Sequence, residues 1–427
     1  MGTLIKQLCD EVRLPRMIRV RQIFDRERIE TTDIPAAVTA QLSRPDLGDY
    51  IKQGQRIAIT CGSRGIANVP VITKAIVDFV KSRGAKPFVV PAMGSHGGAT
   101  AEGQKTLIES YGVTESFIGC PILSSMETVV IGISSEGHTV RIDKNAAEAD
   151  GIIVAGRIKP HTDFQGIYES GLMKMMVIGL GKREGADICH QKGFGHMSRM
   201  VAIFGKTILE NAPIILGLGI MENAYSETCK FIALPRGEIE KEEPALLDEA
   251  RRHLPLISFK STDVLVVERI GKDVAGTGMD PNVTGTGPCT PFISEGGIIA
   301  LRTAILDLTD ETHGIAFGMG AAHVITRRLF NKIDYEATYI NAVTSRGLEL
   351  VRIPLIVDSD REAVQMALRT CIGHDSNRPR IIRVANSFHT EHIWISEAMV
   401  EEANTNPQVE ILSDPEEWAF DKHGNLW

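Results

Sequence analysis

The sequence predicts an α/β protein of two Rossmann-like domains with a cleft between them, and three observations carry that prediction. Short apolar runs rich in Val and Ile recur along the chain and alternate with helix-like stretches. The runs are continuously apolar, as strands of largely parallel sheets are when both faces are covered. The chain has 427 residues, more than one ordinary core organises, which calls for two or three domains.

The first set of candidate strands is RIAIT (56–60), PFVVPA (87–92), TVVIGI (128–133), GIIVAG (151–156) and PIILGLGI (213–220). The second is DVLVVERI (263–270), IIALRT (298–303), RIPLIV (352–357) and RIIRVA (380–385). Helices are expected between them over 70–83, 101–111, 197–210, 244–253, 320–331 and 360–372. The charged segment RGEIEKEEPALLDEARRHLP (236–255) separates the two sets. The expected domains are therefore 1–258 and 259–427, with the polar, two-tryptophan tail (405–427) free to pack back on the first.

Composition narrows the function classes. The chain is 43% hydrophobic and 23% charged, which is globular, and its net charge of −8 lacks the basic footprint of a nucleic-acid binder. A small anionic substrate would need a local basic pocket. No stretch of about 18 apolar residues suggests a membrane span, and the first twenty residues lack a signal-peptide core. The seven cysteines are scattered without a CxxC pair, which argues against a disulfide framework or a zinc ribbon. These features predict a soluble, cytoplasmic protein acting on a small molecule, with homo-oligomerisation left open.

Loops after strands are where open α/β sheets place ligands. TCGSRGIANVP (60–70) offers Arg64, whose planar fork suits a carboxylate or phosphate. PAMGSHGGATAEG (91–103) sets His96 between glycines, well placed for acid–base chemistry. GRIKPHTDFQGIYESG (156–171) crowds Lys159, His161, Asp163 and Glu169 into one loop. Next comes GLMKMMVIGL (171–180), an apolar run with Lys174 in its middle, followed by His190. A buried ammonium is costly unless paired, neutralised or chemically altered. ERIGKDVAGTGMDPNVTGTGP (268–288) presents Lys272 in a Gly/Thr-rich loop that is neither a dinucleotide fingerprint nor a Walker loop. The plain alternative in each case is a tight turn or solvated surface loop. Cys189, His190 and His196 match no standard zinc spacing.

The ordered set Arg64, His96, His161, Lys174, His190 and Gly-Lys-Asp at 271–273 resembles the nickel-pincer-nucleotide-dependent lactate racemase family. The histidines stand about 65 residues apart, and Lys174 precedes His190 by 16. The resemblance implies a racemase or epimerase of a 2-hydroxy acid, working by proton-coupled hydride transfer to and from a lysine-tethered cofactor. It implies a nickel-pincer nucleotide joined to Lys174, with His190 as a nickel ligand in a square-planar site. It implies His96 and His161 as catalytic bases on opposite faces of the substrate, and Arg64 and Lys272 as ligands of its carboxylate. Acylation would also remove the charge of Lys174. The implied partners include the enzymes that make the cofactor, and protein from a host lacking them is expected to carry none. The chain departs from the lactate enzymes at Cys61, where they have an acidic residue. It also has about three extra residues between His161 and Lys174, and no Arg-Pro after His96. These departures touch the substrate loops, so the expected substrate is not strictly lactate. The alternatives are a non-nickel α/β enzyme acting on a phosphorylated or carboxylate small molecule, and a non-catalytic cofactor- or nickel-binding protein.

Overall fold

The computed structural model describes residues 3–63, 65–285 and 297–427. In chain order the strands are β1 (Met17–Gln22), β2 (Arg56–Cys61), β3 (Lys86–Pro91), β4 (Thr128–Ile133), β5 (Thr139–Asp143), β6 (Gly151–Arg157), β7 (Ile214–Glu222) and β8 (Thr228–Pro235). They continue as β9 (Ser261–Ile270), β10 (Ile299–Leu308), β11 (Val324–Thr326), β12 (Leu355–Val357), β13 (Ile381–Val384), β14 (His392–Ser396) and β15 (Val409–Ile411). The chain divides into two compact units, Arg26–His253 and Met1–Asp25 with Leu254–Trp427.

The Arg26–His253 unit is built on a five-stranded sheet in the order β3-β2-β6-β7-β8. The first four strands run parallel and β8 is antiparallel to β7. Both faces are covered, which is why its strands are continuously apolar. On one face Ile57, Ile59 and Ile153 pack with Ile72, Ile76 and Val80 of the helix Val69–Ser82. On the other, Ala58, Val90, Ile152 and Val154 pack with Leu172, Met173, Met176 and the helix Met197–Asn211. A hairpin of β4 and β5 stands apart from this sheet.

The second unit carries an eight-stranded sheet in the order β12-β11-β10-β9-β13-β14-β1-β15. Its parallel part, β9 to β13, matches the alternating strand-helix reading. Its far edge is antiparallel, because β1 pairs with both β14 and β15. Three differences from the sequence reading follow. Residues 1–25, assigned by sequence to the first domain, fold with the C-terminal unit through pairs such as Ile18↔Ile395. The tail packs in that same unit, where Trp418 Nε1 donates to Pro15 O at 2.9 Å. The helix expected over 320–331 is instead the short strand β11 followed by the helix Arg327–Asn331, because Val324–Thr326 extend the sheet beside β10. No helix among the described residues is long and apolar enough to cross a membrane.

Candidate active site

Three candidate loops leave the C-terminal ends of adjacent parallel strands, β3, β2 and β6. Main-chain donors and acceptors at such ends are not consumed by the sheet, so groups placed there meet a ligand.

After β3 the chain turns sharply through Gly94, whose φ of +60° is in the left-handed region. A Cβ there would meet Ile178 O at 3.2 Å and Ala186 Cβ at 3.6 Å, so this close approach needs glycine. His96 follows, exposed, with its carbonyl accepting from Gln104 Nε2 at 3.2 Å. The same amide group donates to Gly94 O at 2.8 Å.

After β6 the loop from Lys159 to Ser170 is closed at its neck by two main-chain bonds between those residues. Buried Glu169 organises its interior. One carboxylate oxygen accepts from His161 N at 2.7 Å, and the other from Gly166 N at 3.0 Å and Arg251 Nη2 at 2.6 Å. Burial pushes this carboxyl above its ordinary range, against the pull of those donors. The His161 ring lies 4.4 Å from the Phe164 ring, centroid to centroid. Its Nδ1 accepts from Asp163 N at 3.0 Å, so the neutral ring carries its hydrogen on Nε2. The orienting group is thus the main chain of Asp163, while its carboxylate stands 3.7 Å from the same nitrogen.

Lys174 answers the question its setting raises. It ends the short helix Leu172–Lys174, which runs directly into a π-helical segment, Met175–Gly179. Met173, Met176, Val177 and Leu180 form the buried stripe, and Lys174 lies off it, half-buried. Its ammonium sits 5.7 Å from the Phe164 ring centroid, so His161 and Lys174 share one aromatic neighbour. The next residue, Met175, reaches across the strand ends. Its Cε would lie 3.1 Å from a Cβ at Gly62 and 3.2 Å from one at Gly156, so a side chain at either position would push this methionine aside by a few tenths of an ångström.

The fully buried lysine is a different one, Lys182, at the start of the helix Lys182–His190. His190 ends that helix, half-buried, edge-on to Phe194 at 6.0 Å. Ala186, one turn before it, is the contact made with Gly94 of the His96 loop.

The charged segment read as a domain separator is the helix Arg236–Arg252, and it secures this site. Glu240 O accepts from Tyr168 Oη at 2.6 Å. Arg251 holds Glu169. Glu243, fully buried, accepts from Met173 N at 2.9 Å and so caps the turn that bears Lys174. Burial pushes its carboxyl up to about 7. Glu243, Arg251, Phe164, Gln104 and Lys182 all escaped the sequence reading. One signal was present: Ile239, Glu243, Leu247 and Ala250 form the buried stripe of that helix, and an acid sits inside it.

Arg64 lies outside the described residues. Its flanks are fixed, with Ser63 O accepting from Tyr111 Oη at 2.7 Å and Ala67 N donating to Glu222 Oε1 at 2.7 Å. Burial pushes the Cys61 thiol up to about 12, so it stays protonated at neutral pH. In the C-terminal unit, Lys272 Nζ donates to Gly276 O at 2.8 Å and stands 4.4 Å from the Phe317 ring centroid.

This unit is an α/β fold with His96 and His161 on loops after β3 and β6, and with Lys174 sharing the Phe164 ring with His161. Residues 6–201 match the family model of the lactate racemase N-terminal domain, a stretch that contains His96, His161, Lys174 and His190. Over that stretch the chain is similar to the lactate racemase N-terminal domain. Among solved structures it is similar to the lactate racemase apoprotein from Thermoanaerobacterium thermosaccharolyticum. That match has a TM-score of 0.47 and 14% identity, covering 92% of this chain and 93% of that one. No curated protein matches.

Proposed function

We propose that this protein is a racemase or epimerase of a 2-hydroxy acid, one not restricted to lactate. The observation that carries the reading is the Lys174–Phe164–His161 cluster at the strand ends, inside a lactate racemase N-terminal domain. The residues present fit a lysine-tethered nickel-pincer nucleotide. Among the described residues no group of three or more His, Cys, Asp or Glu could hold a metal ion. Any metal here would therefore need donors beyond the side chains, as a tethered organic ligand provides. Lys174 supplies an amine for the tether beside the Phe164 ring, and His190 supplies one imidazole nitrogen. When bound, that group accepts and returns a hydride.

The chain's own residues manage the protons. With Nδ1 accepting from Asp163 N, a neutral His161 carries its hydrogen on Nε2. To accept a proton there it must first carry hydrogen on Nδ1, which then faces the Asp163 carboxylate. His96, on the neighbouring loop, is the second base, so that either enantiomer can lose its hydroxyl proton. Arg64 and Lys272 are the proposed ligands of the substrate carboxylate, and the substrate and the cofactor-making enzymes are the proposed partners.

The test is intact mass and peptide mapping on protein co-produced with those enzymes and nickel, followed by chiral assay of 2-hydroxy acids. A nucleotide-sized adduct on the peptide containing Lys174, absent in Lys174→Ala, supports the reading. An unmodified Lys174 under conditions that load a known lactate racemase overturns it.

A further inference from the structure

We propose that Lys182, Asp143 and Gln104 form a positioning network that fixes the His96 loop against the helix ending in His190. The inference deepens the proposed function and rests on it in one respect, the assignment of His96 as a base.

All three side chains are fully buried. The ammonium of Lys182 donates to Pro91 O, the last carbonyl of β3, and to Gln104 Oε1 at 3.2 Å. It also lies 3.1 Å from Asp143 Oδ2. Asp143 is fastened in turn, its main-chain N–H donating to Leu180 O at 2.7 Å and its side chain accepting from Ala146 N at 2.9 Å. Lys182 holds a left-handed φ of +53°, a conformation unfavourable for a side-chain-bearing residue unless its surroundings enforce it.

A buried ion pair is weak grounds for stability, since apolar side chains of similar volume commonly do as well. What an ammonium does that a methyl group cannot is choose an orientation. It only donates, so it draws the oxygen of the Gln104 amide toward itself. The amide NH₂ must then point the other way, at Gly94 O and His96 O. The main chain on both sides of Ser95 is thereby held by one side chain whose rotation is locked by another. Lys182 begins the helix that ends in His190, so a single buried charge ties together the placement of both histidines.

The experiment compares wild type, Gln104→Met and the charge-neutral double variant Lys182→Met/Asp143→Asn. The first readout uses protein without cofactor: main-chain hydrogen exchange, by mass spectrometry, over residues 92–104 and over 197–211. We expect exchange over 92–104 to rise by about tenfold or more in both variants while 197–211 is unchanged. The second uses protein co-produced with the cofactor-making enzymes and nickel. The Lys174 adduct should persist, kcat should fall by about tenfold to a hundredfold, and KM should stay within about threefold. Unchanged exchange over 92–104 in Gln104→Met, which leaves the ion pair intact and guards against failure of the double variant to fold, overturns the network. Faster exchange with unchanged kcat in adduct-bearing protein overturns its bearing on His96. Wild type that shows neither adduct nor turnover overturns the racemase reading instead, and the exchange comparison then decides the network alone.

Discussion

Replacing Glu243 by Gln should make the turn that carries Lys174 more resistant to opening as pH rises, relative to wild type. Burial lifts the Glu243 carboxyl from 4.5 to about 7 in the folded protein. Between those values the folded state keeps the proton and the opened state releases it. The opened state therefore binds fewer protons, and wild-type stability falls as pH increases through that window. The full span, about 2.5 pH units at 1.36 kcal/mol each, is worth about 3.4 kcal/mol. Between pH 5 and pH 8 it comes to about 2.5 kcal/mol, or roughly 70-fold in the opening equilibrium. Gln keeps an acceptor for Met173 N and has no charge to lose. The assay is hydrogen exchange of a peptide spanning Leu172–Leu180, taken as the ratio of wild type to variant at each pH, so that intrinsic exchange cancels. The ratio should grow by roughly 70-fold from pH 5 to pH 8. A ratio that stays constant within about twofold would refute the claim that Glu243 is buried without adequate compensation.

Two further outcomes follow from the same helix. Gly171→Ala places a Cβ 2.2 Å from Glu243 Oε1, so it should displace the cap and destabilise the unit by about 1–3 kcal/mol in urea unfolding. Its φ of 178° is ordinary extended backbone, so Glu243→Ala in the same chain should relieve much of that cost. Arg251→Met leaves the buried Glu169 carboxylate without its cation. Because Arg251 is about one-third exposed, the loss should be moderate, about 1–3 kcal/mol, and should appear as faster proteolysis between Lys159 and Ser170.

The parts of the fold that were legible in sequence are those governed by local pattern. All nine candidate strands exist, because runs rich in Val and Ile favour the extended conformation, whether covered on both faces as in β2 and β6 or half-exposed as in β4. What escaped depends on distant partners. MIRVRQ buries alternate residues, as a strand half-covered by its unit should, yet its destination is set by pairing with Met17↔Ser396 and its neighbours. The Lys174 run looked anomalous because its apolar residues were read as one surface. At helical spacing they belong to the stripe opposite the lysine. Lys182 is the reverse case: nothing in GLGKRE marks it as buried, and only the fold brings Asp143 and Gln104 to its charge. His96 and His161 were visible in sequence as loop residues after strands, and the structure places both on loops after β3 and β6. Their supports were not visible, since Arg251 holds Glu169 from 82 residues away.

The π-helical segment after Lys174 has one more consequence. Its defining bond, Leu180 N to Met175 O at 2.9 Å, spans five residues where an ordinary turn spans four. The segment behaves like a single inserted residue that advances the phase of everything on one side by about 100° relative to the other. Deleting one residue from Met175–Gly179 would restore ordinary helical phase up to the left-handed break at Lys182. Lys174 would then swing just over a quarter-turn relative to Leu180, whose N–H closes the π turn. The angular offset between these two residues is thus a discrete setting, changed by insertion or deletion of one codon rather than by gradual substitution.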